Sequence, residues 1–389
     1  MTVALVVDDS QFMRTVVGNA LEHAGFDVVE ASDGADAVEQ AETHDPDVIT
    51  MDVAMPEMDG IEATERIMNR NPTPILMVSA HTDKGADATL DALERGAVDF
   101  LAKPGGQEVS LEAEDLADDL LEKVNAVMGA DLDAIDPVES PTPAEMGATR
   151  QGEGDAVSMA ADATTPQDAA ESGPTAQEIT SVIEETIAGD YARNPTVVLG
   201  ASTGGPKLLT AVLGDLPRAL DARVLVVQHM PESFTERFAE RLDAVSAYDV
   251  AEAEDGERIG GGEVRLARGG SHLEVAGYSS GRLRLQLTDA EPVHGVRPAI
   301  DVTMETAAEQ VDDPLVGVAM TGMGSDAAAG IRAIKEAGGT TIVQDEETSP
   351  VFGIPQKAIA TGRVDEVLPA DELVDGILSA LSTEGDTDG

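Results

Sequence analysis

The sequence predicts an α/β protein of two doubly wound parallel-sheet domains joined by a disordered acidic linker. Three observations carry this reading. Residues 1–128 alternate short apolar runs with helical patterns five times, residues 129–194 lose the alternation, and residues 195–382 resume it. Such alternation calls for a parallel sheet covered by helices on both faces.

In the first domain the runs Val3–Val7, Val28–Ala31, Val48–Met51, Ile75–Val78 and Asp99–Leu101 read as strands. Apolar residues at helical spacing near Gln11–Ala24, Ala35–Thr43, Ile61–Asn69, Ala86–Arg95 and Leu111–Met128 predict the intervening helices. The stretch 129–194 is rich in Asp, Glu, Pro, Thr, Gly and Ala and poor in large apolar residues, the composition of a self-repelling flexible linker. Ile179, Val182, Ile183 and Ile187 predict one short amphipathic helix near its end. The second domain opens with a strand ending at Ser202, followed by a helix over Lys207–Asp215. A second strand runs Arg223–His229 and a third Leu315–Met320, before a helix over Ala327–Ala337. Glu263–Arg268, Leu273–Ala276 and Leu283–Thr288 read together as an inserted hairpin region, and residues 383–389 as an acidic tail.

Composition narrows the function. The 389 residues carry 75 acidic against 24 basic side chains, a formal charge of −51, which speaks against a nucleic-acid partner. Self-repulsion on this scale destabilises a fold in dilute buffer. In ~1 M salt the screening length falls to roughly 3 Å, so a salt-loving host is expected. Cysteine is absent, which removes disulfides and thiolate chemistry. No apolar run approaches a membrane span and no basic leader precedes Asp8, so a cytoplasmic location without membrane insertion is expected.

The densest chemical signal is Thr196-Val-Val-Leu-Gly-Ala-Ser202-Thr-Gly-Gly205. A serine at a strand–turn–helix junction has its hydroxyl pushed out of the sheet toward helix N–H groups. Gly200-x-Ser202-x-Gly204 is thus read as a nucleophile elbow, with a glycine-rich turn or phosphate cradle as the alternative. His229 stands at the carboxyl end of the second strand and Asp326 just beyond the third. Carboxyl ends of parallel strands form the ligand crevice of an open α/β sheet. Ser202, His229 and Asp326 would then be nucleophile, general base and base-orienting carboxylate. Taken singly, His229 could be a core histidine and Asp326 a helix cap; together they favour a triad. Their chain order differs from the Ser…Asp…His of ordinary α/β-hydrolases.

A second cluster lies in the first domain. Asp8 and Asp9 end its first strand, Asp52 the third, Ser79 the fourth and Lys103 the fifth, all at one sheet edge. Clustered carboxylates repel unless a hard cation such as Mg²⁺ is present, and they suit phosphoryl transfer to a carboxylate. Lys103 would neutralise the transferred group and Ser79 would hydrogen-bond it.

The pattern Val-Asp8-Asp9-Ser-x-x-Met-Arg14, Met-Asp52-x-x-Met-Pro56-x-Met-Asp-Gly60, Val-Ser79-Ala80 and Phe100-x-x-Lys103-Pro104 resembles the receiver domain of two-component response regulators, a flavodoxin-like fold, over residues 1–128. The resemblance implies Asp52 as the site phosphorylated by a chemotaxis histidine kinase. It further implies that Asp9, Asp52 and the Ala54 carbonyl bind Mg²⁺, that Asp8 supports through water, and that Ser79 and Phe100 switch. In residues 195–382, Gly200-Ala-Ser202-Thr-Gly-Gly-Pro206, Val-Val-Gln-His229-Met, Gly270-Ser-His272-Leu, Arg297-Pro-x-x-Asp301 and Met320-Thr-Gly-Met-Gly-Ser-Asp326 resemble the chemotaxis protein-glutamate methylesterases, with a Rossmann-like three-layer hydrolase domain. This implies hydrolysis of glutamate methyl esters, and deamidation of glutamines, on the cytoplasmic part of chemoreceptors. It carries over Ser202, His229 and Asp326 as the triad and the Met323 backbone N–H as an oxyanion donor, with no cofactor at that site. His272, Arg297 and Asp301 also match, and a structural role is expected for each; His294 is expected at the surface.

Two departures stand out. Ala327-Ala328 follows Asp326 where the family usually has a glycine next, so a stiffer helix start is expected. The linker is longer than is typical, so looser packing between the domains is expected. Two other outputs fit a receiver less well. A DNA-binding output would need a basic recognition helix, which residues 195–389 do not offer. A non-enzymatic domain cradling phosphate at Gly200–Gly205 would not react with a serine-directed reagent at Ser202.

Overall fold

The computed structural model describes residues 2–79, 83–103, 113–130, 132 and 191–383. Most of the expected flexible linker, its short helix and the end of the acidic tail lie outside these residues.

The N-terminal half is a five-stranded parallel sheet in the order β2-β1-β3-β4-β5. Its strands are β1 (Val3–Val7), β2 (Asp27–Ala31), β3 (Val48–Asp52), β4 (Ile75–Ser79) and β5 (Asp99–Ala102). Between and after them run α1 (Gln11–His23), α2 (Gly34–His44), α3 (Gly60–Arg70), α4 (Asp83–Glu94) and α5 (Ala113–Met128). Side chains start the first three helices. Ser10, Asp33 and Asp59 each accept backbone N–H bonds from the first turn that follows, replacing partners a helix start lacks. β3 and β4 are buried along their whole length, as strands covered on both faces must be.

The C-terminal half holds a seven-stranded sheet, β15-β14-β13-β6-β7-β10-β8, with every pairing parallel. Its strands are β6 (Thr196–Ala201), β7 (Arg223–Gln228), β8 (Asp249–Glu252), β10 (Glu263–Leu266), β13 (Leu315–Ala319), β14 (Thr340–Gln344) and β15 (Glu366–Leu368). The helices are α6 (Gly205–Asp215), α7 (Glu232–Val245), α8 (Ile300–Gln310), α9 (Ala328–Glu336), α10 (Gly353–Ala360) and α11 (Leu373–Leu381). Side chains alternate between the two faces of the strands. On β6, Val197, Leu199 and Ala201 join one core and Val198 the other; on β7, Val224 and Val226 oppose Leu225 and Val227.

The inserted hairpin is smaller than the sequence suggests. β11 (His272–Ser279) and β12 (Arg282–Thr288) pair antiparallel, and β9 (Arg258–Ile259) completes a three-stranded sheet. β10 belongs instead to the main sheet, parallel to β7 and β8. Its run Glu-Val-Arg-Leu is apolar enough for either place, and only the parallel partners on both sides decide it. The expected loose packing between the halves is also corrected. Leu90, Leu93 and Phe100 share one continuous hydrophobic cluster with Leu209, Phe234 and Phe238.

Candidate active site and phosphoacceptor site

β6 delivers Ser202 into a turn pinned from several directions. The Ser202 N–H donates to the Thr321 carbonyl (2.9 Å), and the Ser202 carbonyl accepts from Gly205 N (2.8 Å) and Gln228 Nε2 (2.9 Å). Thr321 Oγ1 donates to the Thr203 carbonyl at 2.9 Å. Two glycines are required here. Gly204, at φ 77°, starts α6 in the left-handed region, and Gly322, at φ 151°, packs so closely that a Cβ would lie 2.6 Å from Ser202 Cβ.

β7 delivers His229, whose N–H donates to the Ala201 carbonyl at 3.2 Å. Its ring Nε2 meets Asp326 Oδ2 at 2.8 Å. The Asp326 carboxylate, 1% exposed, also accepts from Ile300 N (2.6 Å) and Asp301 N (2.8 Å) at the start of α8. Burial alone would raise the Asp326 pKa. The His229 hydrogen bond and charge, with these backbone donors, outweigh it and hold the carboxyl below its ordinary value. With Nε2 engaged, Nδ1 is the nitrogen left for Ser202, the reverse of the chymotrypsin arrangement. Among the described residues the ring makes no hydrogen bond to the Ser202 hydroxyl, and nothing accepts from the Met323 amide.

The neighbours of the site are tied as follows. His272, buried, accepts from Ala299 N at 3.2 Å, and its other nitrogen lies 3.1 Å from the Glu291 carbonyl. Arg297 donates to the Asp289 and Ala290 carbonyls. His294, expected at the surface, is 38% exposed yet bonded to Asp301 Oδ2 at 2.8 Å. Ala327 departs from the expected stiffened helix start. It sits at φ 104° and ψ −16°, a left-handed conformation that strains any residue with a Cβ.

At the carboxyl edge of the first sheet, Asp8, Asp9 and Asp52 each place a carboxylate oxygen within 4.8 Å of the others, a set of hard oxygen donors suited to a divalent cation. Lys103 Nζ bridges Asp8 Oδ2 (2.8 Å) and Asp52 Oδ1 (2.9 Å). Burial pushes the Asp52 carboxyl up and the Asp8 charge adds to it, against the pull of Lys103. Burial also works against the Lys103 ammonium, but two carboxylates outweigh it and its pKa rises. Both values rise, which favours the charged Lys103 but disfavours the charged Asp52, because Lys103 has two partners whereas Asp52 shares its cation with Asp8. Ser79 Oγ donates to the Gly85 carbonyl at 3.3 Å.

Two family models match the chain: a response regulator receiver domain over residues 4–113 and a CheB methylesterase domain over residues 197–377. The chain is 52% identical to the protein-glutamate methylesterase/protein-glutamine glutaminase of Haloarcula marismortui, over 98% of both chains. The chain belongs to the CheB methylesterase family. A relative of the same name from Halobacterium salinarum is 52% identical over 98% of this chain and 99% of its own. One from Pyrococcus horikoshii is 39% identical over 97% of this chain and 93% of its own.

Between the receiver and the methylesterase domain, the structure adds residues that sequence reading missed. Phe100 stacks on Phe234 of α7, ring centroids 4.3 Å apart. Its neighbour Asp99 accepts from Lys123 Nζ (2.6 Å) and from Thr203 Oγ1 (2.8 Å). Thr203 directly follows Ser202. Arg241 of α7 reaches α4, pairing with Asp91 (2.5 Å) and Glu94 (2.8 Å) and donating to the Asp87 carbonyl (2.8 Å). Adjacency to Phe100 and Ser202 was the signal available for Asp99 and Thr203; Arg241 carried none.

Proposed function

We propose that the chain is a phosphorylation-controlled serine hydrolase that demethylates glutamate methyl esters, and deamidates glutamines, on the cytoplasmic part of chemoreceptors. The observation that carries the reading is the His229–Asp326 pair at 2.8 Å, set beside the Ser202 turn at the strand ends. Membership of the methylesterase family and the names of its relatives support the substrate class. Residues 1–128 act as receiver, 129–194 as linker and 195–382 as the catalytic domain, working in the cytoplasm with a chemotaxis histidine kinase as phosphodonor. No helix among the described residues is long and apolar enough to cross a membrane.

In the reaction, Ser202 Oγ attacks the ester carbonyl and His229 Nδ1 takes its proton. The Met323 N–H stabilises the oxyanion. His229 then returns the proton to the departing methanol; as water attacks the glutamyl-enzyme, His229 accepts a proton from it and delivers it to Ser202 Oγ, which leaves as the acid is released. Asp326 fixes the ring by holding Nε2–H and stabilises the imidazolium. In the receiver, Asp52 accepts the phosphoryl group. Asp9, Asp52 and the Ala54 carbonyl would hold Mg²⁺, with Asp8 acting through water; when bound, the ion neutralises phosphoryl oxygens. Lys103 neutralises the same group, and Ser79 and Phe100 carry the change to the face on which Phe234 and Thr203 rest.

Methanol release from a methyl-esterified receptor fragment, in high salt with and without a small phosphodonor, tests the reading. Wild type should release methanol and Ser202→Ala should lose on the order of 10⁶ in rate. Appreciable turnover by the alanine variant would refute the assignment. Covalent labelling of Ser202 by a serine-directed reagent would separate an enzyme from a phosphate cradle.

A further inference from the structure

We propose that Asp301, braced by His294, is a positioning residue of the hydrolytic site: it holds the strained backbone after Asp326 and thereby aims Asp326 at His229. The inference rests on the hydrolase reading above. Asp301 is 3% exposed and occupies the second position of α8. Its Oδ1 accepts from Ala327 N (3.0 Å) and Gly330 N (2.7 Å), at the start of α9. In return its own N–H, with that of Ile300, donates to Asp326. Two helices thus exchange caps: the carboxylate beside each start satisfies the N–H groups of the other.

Why the exchange matters for chemistry lies in Ala327. This residue is fully buried, sits at φ 104°, and has no cap from a side chain of its own segment. Strain of this kind persists only where the surroundings over-determine it. Asp301 supplies that constraint across the helix pair, one peptide away from the carboxylate that orients His229. If the backbone at Ala327 relaxed, Asp326 would turn with it and the 2.8 Å contact to His229 would be lost.

His294 fixes the remaining oxygen. Its Nε2 donates to Asp301 Oδ2 at 2.8 Å, and its Nδ1 faces Ser325 Oγ at 3.3 Å. Ser325 precedes Asp326, so the ring clamps both flanks: Asp301 on one side and the Met323–Asp326 loop on the other. An ordinary cap would supply stability alone. A positioning residue changes turnover at constant substrate affinity, and its loss is repaired by removing the strain it restrains.

The test is steady-state methanol release from a methyl-esterified receptor fragment by the full-length chain. Asp301→Asn leaves the Ala327 and Gly330 N–H groups only an uncharged, weaker acceptor and turns an amide onto His294. It should lower kcat on the order of 10²-fold with KM nearly unchanged, as a misplaced catalytic group does. Adding Ala327→Gly should restore most of that loss, yet should not rescue Asp326→Asn. His294→Ala, which removes a ring 38% exposed, should cost about tenfold through the lost charge-assisted bond. It should cost nothing further in the Asp301→Asn background. Unchanged kcat in both single variants would overturn the proposal, as would a loss that Ala327→Gly fails to repair. Should Asp301→Asn not fold, His294→Ala with and without Ala327→Gly decides the question. A wild-type chain that releases no methanol would overturn the hydrolase reading itself.

Discussion

Replacing Thr203 with valine removes one hydroxyl and leaves the side-chain shape nearly unchanged. That hydroxyl donates to the Asp99 carboxylate at 2.8 Å, with both residues almost fully buried between receiver and methylesterase domain. A hydrogen bond to a charged group contributes about 1.5–3 kcal/mol. Asp99 keeps Lys123 as a second partner, so the lower end applies, and ~1.4 kcal/mol is a tenfold change in an equilibrium. Thr203→Val should therefore weaken receiver docking about tenfold. If docking restrains the nucleophile turn, methanol release by the unphosphorylated full-length chain should rise by a similar factor. The rate with phosphodonor should barely move, so the activation ratio shrinks. Arg241→Ala is the contrasting change. Arg241 makes more contacts, but its carboxylate partners are 48% and 64% exposed, and such pairs are worth about 0–1 kcal/mol before salt screening. In high salt it should matter less than Thr203. A Thr203→Val chain with an unaltered unphosphorylated rate, still fully activatable, would refute the coupling.

Other outcomes follow from the two sites. Asp326→Asn should lower turnover roughly 10⁴-fold by releasing the His229 tautomer, and a loss below tenfold would leave Asp326 only a helix cap. Because its folded pKa lies below the ordinary 3.8, the charged carboxylate contributes stability above that pH and loses it as pH falls through the depressed value. The asparagine variant should lack this part of the acid-unfolding limb in denaturation midpoints measured across that range. Asp52→Asn should abolish phosphorylation yet keep the unphosphorylated esterase rate, and a chelator should block the first without touching the second. Ala327→Gly should raise stability by about 1 kcal/mol, since glycine enters the left-handed region without a Cβ penalty; a lower melting temperature would contradict the strain. At a formal charge of −51, the melting temperature should fall as salt is withdrawn, and salt-independent unfolding would contradict self-repulsion as the reason.

What could be read in advance followed from local pattern. Strands with a mostly apolar run, such as Val48–Asp52 and Arg223–Gln228, announce a parallel sheet, and chemistry at their carboxyl ends follows from the topology. The placement of Asp52, Ser202 and His229 at such ends was visible for that reason. β10 was misplaced because Glu-Val-Arg-Leu suits an edge, a hairpin or a central strand alike, and its place depends on pairing with both β7 and β8, neither of them next to it in the chain. The exchange of caps between Asp301 and Asp326 was hidden for a similar reason: alone, Asp326 could be a local cap and Asp301 a structural residue, and only packing makes them serve each other's helices. Ala327 misled because alanine after a loop promises a good helix, whereas the chain spends that residue on a turn.

The seven-stranded order places β6 fourth, with β13 on one side and β7 on the other. Each of the three middle strands therefore leads to one member of the Ser202, His229 and Asp326 set, and no outer strand contributes. Fraying in a sheet begins at its borders, where ladders are bonded on one side only. β8 and β15 can open, lengthen or lose a residue while the central three stay registered against one another. Ser202, His229 and Asp326 thus follow strands bonded on both sides, and a change confined to β8 or β15 should leave their mutual placement intact.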